Sequence, residues 1–167
     1  NTAGLREGKG TVFEGGQRVP TIVSWPQVIK KSSISNKLSA SIDILPTITE
    51  IVNGKLPKHI IDGVSILDIL KGKNTNPRDH FFYYYKTNSL EAVRKDNWKL
   101  ILPHESRSYE NVMPGMDGHK GNYSKLKLDY KLYNLRRDPG ERYNVIKKYP
   151  KITKELKELA ESARTDM

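Results

Sequence analysis

The spacing of apolar residues changes character along the chain. Residues 19–26, Val-Pro-Thr-Ile-Val-Ser-Trp-Pro, form a short apolar run closed by proline, which predicts a buried strand. Over 39–52 the apolar residues Ile44, Leu45, Ile48, Ile51 and Val52 recur at helical spacing. Asp43 is placed to cap that helix, Pro46 falls in its first turn and Gly54 stops it. A second, short helix is predicted at 65–70, ended by Gly72. Beyond the polar connection 73–78 the pattern shifts from helical to alternating. Phe81-Phe82-Tyr83-Tyr84-Tyr85 is a dense β-forming run. Segments 90–94 and 98–102 read as a hairpin turning at Lys95-Asp96-Asn97, and 131–135 as a last strand. From Pro150, suited to a first helical position, Ile152, Leu156, Leu159, Ala160 and Ala163 line one face of a terminal helix with lysines and glutamates opposite. The change of pattern at 75–78 marks a boundary between two parts, 1–75 and 78–167.

Composition narrows the function classes. The 167 residues carry 36% hydrophobic content, enough for one ordinary domain or two small ones. The net charge of +10 implies affinity for anionic partners. The lysines are spread over the C-terminal half, which favours a solvated basic surface over a nucleic-acid groove. Cysteine is absent, so disulfides and thiolate metal sites are excluded and the redox compartment is left open. No stretch reads as a signal peptide or a membrane span.

Candidate chemistry concentrates in two stretches. Residues 5–20 hold four glycines and one proline in irregular backbone, into which Arg6, Lys9 and Arg18 are set with Glu7 and Glu14 as possible partners. A lysine flanked by Gly8 and Gly10 suits a fixed point charge for an anion, although Gly-Lys-Gly also occurs in plain surface turns. The P-loop order of glycines and lysine is absent. The second stretch, 103–130, reads as a long loop holding His104, Arg107, Met113, Pro114, Gly115, Asp117, Gly118, His119 and Gly121. Loops of that length are binding loops or disordered segments. His104 and His119 lack a third ligand at suitable spacing, so no metal site is expected. Asp43 reads as a cap rather than a catalytic carboxylate, and the aromatic run 81–85 either as core or as a stacking platform for rings.

Four separated stretches resemble the arylsulfatase family, in the family's order. The run Leu5-Arg6-Glu7-Gly8-Lys9-Gly10-Thr11-Val12-Phe13-Glu14-Gly15-Gly16-Gln17-Arg18-Val19-Pro20 is similar to that family's Leu-Arg-x-Gly-Lys-Gly-Thr segment, with Phe13 in place of the usual tryptophan. Ala92-Val93-Arg94-Lys95-Asp96-Asn97-Trp98-Lys99-Leu100 resembles its late hairpin, with Asp96 where glycine is usual; aspartate tolerates the positive φ that such a turn needs. Pro103-His104-Glu105-Ser106-Arg107-Ser108 resembles a substrate-side insertion in a subset of bacterial sulfatases. The segment through Asp138-Pro139-Gly140-Glu141 resembles a turn before the terminal helix.

The resemblance implies an α/β chain, α+β as a fragment. Residues 1–75 would end the large alkaline-phosphatase-like α/β catalytic domain, and 78–167 would form a small four-stranded antiparallel sheet packed by the C-terminal helix. It implies that Lys9 binds the sulfate, as both catalytic and substrate-binding residue, that His104 and Arg107 contact the rest of the substrate, and that Glu14 and Arg18 order the loop. Calcium and a formylglycine nucleophile belong to the parent enzyme. Neither the Cys-x-Pro-x-Arg motif nor the calcium ligands are here, so the chain alone is expected to bind neither and to be inactive. The implied partners are a sulfated small molecule or glycan and the N-terminal remainder of the sulfatase, with no nucleic acid and no membrane. Exposed sheet edges would favour self-association, and a periplasmic or secreted parent is expected. The alternative is a stand-alone basic module that binds a polyanion such as a sulfated glycan or nucleic acid.

Overall fold

The computed structural model describes residues 2–113, 115–119 and 121–165, and Pro114 lies outside them. The chain forms two compact units, one made of Asn1–Val19 with His80–Met167, the other of Pro20–Asp79. The opening glycine-rich run thus shares a compact unit with the C-terminal part.

In the first unit, residues 1–19 hold a single turn of helix, α1 (Glu14–Gln17). The strands are β1 (His80–Tyr85), β2 (Ser89–Lys95), β3 (Trp98–Ile101), β4 (His104–Ser108), β5 (Ser124–Leu128) and β6 (Lys131–Asn134). They build a four-stranded antiparallel sheet in the order β1-β2-β3-β6 and a separate two-stranded sheet of β4 and β5. Much of the expected long loop 103–130 is therefore a hairpin. Its alternation is hidden in sequence because β5, Ser-Lys-Leu-Lys-Leu, buries only Leu128 fully.

The β2–β3 turn forms where expected. Lys95 pairs with Trp98, and Asp96 takes φ 52°, the left-handed conformation the resemblance requires of it.

Alternation sends the large sheet's side chains to two faces, and both are covered. Val93, Leu100 and Leu132 meet Leu156, Ala160 and Ala163 of the terminal helix, here called α2 (Pro150–Thr165), which begins at its expected proline. Ala92, Ile101 and Tyr133 point the other way and pack with Val12 and Phe13 of the opening run, along with Tyr83 and Leu128. The aromatic run in β1 serves both layers: Phe81 and Tyr83 join the second and Phe82 the first, which makes it core.

The second unit contains a helix at Ile44–Ile51 entered through a 3-10 turn at Ser41–Asp43, and a short helix at Leu67–Leu70. Asp43 does not cap. The preceding turn already gives it a helical backbone, and its carboxylate accepts from Ala40 N at 2.7 Å, from Val64 N at 3.0 Å and from the Arg78 guanidinium. One fully buried carboxylate thus fastens three stretches. The expected strand over 19–26 is also absent, and Val19 and Ile22 are 73% and 95% exposed. An extended run needs a neighbouring edge for its backbone groups, and among the described residues no strand pairs with 19–26.

Candidate functional site

The opening run folds back on itself around α1. Gly15 N donates to Arg6 O at 2.9 Å, Gln17 Nε2 to Thr11 O at 2.8 Å, and Thr11 Oγ1 to Gly8 O at 3.0 Å. A Cβ at Gly15 would collide with the carbonyls of Arg6 and Glu7, and one at Gly16 with those of Gly8 and Thr11. The Gly-Gly pair therefore exists for close approach: residues 6–11 lie directly on the α1 backbone.

Lys9 sits at the outer edge of this loop with its side chain exposed. Its main chain is held, since Tyr109 Oη donates to Lys9 O at 2.8 Å. Glu7 accepts from Ser108 Oγ and from Tyr109 N, both at 2.7 Å. Arg6 reaches Glu110 at 3.1 Å, and Tyr133 Oη and Glu141 O at 3.2 Å each. The loop is stitched to the end of β4 and the residues just after it through Arg6, Glu7 and the carbonyl of Lys9.

That stitching brings Arg107 beside it. Gly10 has φ 92°, and a Cβ there would stand 3.2 Å from Arg107 Nη1 and 3.4 Å from Tyr85 Oη. The Arg107 guanidinium also lies over the Tyr123 ring, 4.7 Å from its centre. Arg107 thus stands beside Gly10, the residue after Lys9, with Tyr85, Tyr109 and Tyr123 touching this stretch or the guanidinium, residue types suited to gripping an anion carried on a ring.

His104 is elsewhere. Three residues from Arg107 along one strand, it faces the opposite side of β4. Its side chain is only 7% exposed, with Nδ1 2.7 Å from Leu102 O and Nε2 3.2 Å from Glu91 Oε2. Burial pushes the Glu91 carboxyl above its ordinary value, and the neighbouring His104 pulls against that. Exposed His119 forms no cluster with it: among the described residues no three His, Cys, Asp or Glu gather to hold a metal ion.

Beneath the loop lies a feature that spacing could not reveal. Glu14 Oε1 accepts from Lys99 Nζ at 2.9 Å, Glu141 Oε1 lies 3.0 Å from the same ammonium, and Glu141 Oε2 accepts from Glu14 N at 2.6 Å. Lys99 and Glu141 have no exposed surface, and Glu14 is 4% exposed. Arg94, opposite Lys99 in register, stands 3.9 Å from Glu14, and the ammonium caps the Tyr83 ring at 4.7 Å. Burial opposes the Lys99 charge, but Glu141, Tyr83 and Glu14 outweigh it and raise the ammonium's pKa. Burial likewise raises the Glu141 carboxyl, against the pull of Lys99. The three residues come from three of the stretches whose sequence resembles the arylsulfatases, 85 and 127 residues apart, so each alone reads as a turn or strand former.

Residues 8–112 match the family model for N-sulphoglucosamine sulphohydrolase, C-terminal, and residues 76–167 that for the C-terminal region of aryl-sulfatase. The chain is 30% identical to arylsulfatase A of Bos taurus over 90% of its own length. It is 32% identical to an N-acetylgalactosamine-6-O-sulfatase of Bacteroides thetaiotaomicron over 96%. It covers 30% of each of those relatives. Among solved structures, a Bacteroides thetaiotaomicron protein described with the metabolism of multiple glycosaminoglycans superposes on 98% of the chain, with a TM-score of 0.73 and 31% identity, the chain covering 32% of it. A sulfatase from Pseudoalteromonas sp. shares the fold over 96% of the chain and 32% of its own, at TM-score 0.76 and 21% identity.

Proposed function

Because the chain belongs to the sulfatase family and matches its C-terminal region, we propose that the protein containing it hydrolyses sulfate esters, arylsulfates or sulfated sugars, and that this chain supplies part of the substrate site. The observation that carries this reading is the Lys9 loop: an exposed lysine on a rigidly held backbone, with the Arg107 guanidinium beside the next residue. A sulfate ester builds negative charge on its oxygens as the S–O bond breaks, and an ammonium fixed before the reaction stabilises that charge without reorganising. Lys9 takes this role. Arg107, with its planar donor fork, holds a neighbouring oxygen or anionic group of the same substrate, and Tyr123 holds the guanidinium in place. His104 was expected to contact substrate too. Engaged by Glu91 and Leu102, it would serve the site by anchoring β4 rather than by touching the ligand.

Calcium and formylglycine, which the family implies, do not fit this chain. It has no cysteine, and its described carboxylates and histidines form no metal cage. On this reading the chain alone is inactive. The remainder of the sulfatase is then the natural partner. It would cover the apolar side chains that the second unit leaves exposed, Ile22, Ile44, Leu45 and Ile48 among them; uncovered, these would drive self-association. A periplasmic or secreted enzyme is in keeping with this proposal. Among the described residues no helix is long and apolar enough to cross a membrane.

The test is sulfate release by the full-length protein from a chromogenic aryl sulfate and from sulfated monosaccharides. Turnover of at least one class is expected. If none is cleaved while the protein binds heparin tightly and in a salt-sensitive way, the polyanion-binding alternative replaces this reading.

A further inference from the structure

The buried cluster of Glu14, Lys99 and Glu141 plays no part in the proposed chemistry, yet it lies under the segment that carries it. Two carboxylates and two cations, counting Arg94, are drawn out of water at a cost that good geometry only offsets, so a cluster of this kind is weak evidence of a gain in stability. Its value lies in what it fixes. Glu14 is the first residue of α1, and both its backbone N–H and its carboxylate are held, by Glu141 and Lys99 respectively. α1 in turn is the surface on which residues 6–11 rest, through Gly15 N, Gln17 Nε2 and the bare Gly15-Gly16 backbone. A continuous set of contacts therefore runs from the centre of β3 through Glu14 and α1 to the turn that presents Lys9. Each link has little slack: Lys99 sends its ammonium to two carboxylates and one ring face, and the glycine contacts admit not even a methyl group.

We propose that Lys99 is the positioning residue of this site: through Glu14 and Glu141 it fixes the height and orientation of α1, and thereby the place where the Lys9 ammonium meets the sulfate. This rests on the proposed sulfatase reading. A misplacement of about 1 Å at such a site costs on the order of a hundredfold in rate, so the cluster acts on turnover although it touches no substrate.

Two measurements on the full-length protein separate this role from mere support of the fold. The first is a double-mutant cycle between Lys99→Met and Lys9→Ala, assayed on an aryl sulfate well below the thermal midpoints of all variants. Lys99→Met is expected to lower kcat about tenfold or more in the wild-type background and less than about twofold once Lys9 is alanine. Equal fold losses in both backgrounds, or no loss, would overturn the proposal. The second is hydrogen exchange. In Lys99→Met the amides of residues 8–11 and 14–17 are expected to exchange about tenfold faster or more, with β2 and β3 unchanged. Unchanged exchange in the loop overturns the proposal, and so does equal loosening of the strands. If the wild type cleaves no sulfate ester, the sulfatase reading fails by itself, and exchange still decides whether Lys99 fixes the loop. Should Lys99→Met not fold, Glu141→Gln, equal in size and leaving the Glu14–Lys99 pair, is expected to give the same pattern at smaller amplitude, and wild-type behaviour in it counts against the proposal.

Discussion

Individual residues in the opening run are constrained by what touches them. Gly15 is the sharpest case, since a methyl group there meets two carbonyl oxygens that cannot move without unseating the Lys9 turn. Gly15→Ala is expected to destabilise the protein by about 1–3 kcal/mol in chemical denaturation, as overpacking against backbone does. A loss below a few tenths would show that the loop lifts freely. Arg107 makes a different prediction. Its guanidinium would hold a part of the substrate that does not react, so Arg107→Ala should raise KM about tenfold while kcat stays within about threefold. An equal fall in kcat and kcat/KM would place it at the reacting sulfate instead. These residue types were readable in sequence as anion-binding candidates; that Arg107 comes to lie beside Gly10 was not, because ninety-seven residues separate the two. The burial of His104 did not show, because a histidine on a stretch rich in serine, glycine and charge carries no sign of Glu91, which reaches it from a strand of the other sheet.

At the scale of elements, strong periodicity was legible and pairing was not. The terminal helix and the 95–98 turn follow from local pattern. Leu156, 1% exposed against the sheet, should cost about 2–5 kcal/mol when cut to alanine, measured as the shift in denaturation free energy. Asp96 at φ 52° should accept glycine without loss, whereas Asp96→Val should cost about 1–2 kcal/mol, because a branched side chain resists the left-handed conformation. Equal stability of those two variants would mean that the turn re-forms with a different geometry. Strand 19–26 illustrates the opposite lesson. Its apolar content suits a buried strand, yet Pro20 offers no ladder donor and a strand exists only where another edge accepts its hydrogen bonds. The β4–β5 hairpin was missed for the complementary reason: its residues are mostly polar, and it is defined by its cross-strand partners rather than by its own hydrophobicity.

The whole molecule adds the charge cluster, which no local reading contains, because its members meet only when the opening run is laid on the sheet. Its presence also shapes the response to pH. Burial raises the Tyr83 and Tyr133 phenols above the ordinary 10.0, and Lys99 is held above 10.5 by Glu141, Tyr83 and Glu14 against the effect of burial. A group that grips its proton more tightly folded than unfolded contributes stability that is complete below the unfolded pKa and is lost as pH rises through the folded one. These three groups therefore leave the thermal midpoint level up to about pH 10 and pull it down above that, with the two buried phenols ionising only as the fold is lost. Reversible ionisation of all nine tyrosines near pH 10 without unfolding would contradict this. The proposed role of Lys9 is tested most directly by comparing kcat for an aryl sulfate in the full-length wild type and its Lys9→Ala variant. Loss of a charge contact made in the transition state predicts a fall of about a hundredfold or more in kcat, with the fold intact by circular dichroism. Turnover within about threefold of wild type would contradict it, and Lys9 would then be only the tip of a well-anchored surface turn.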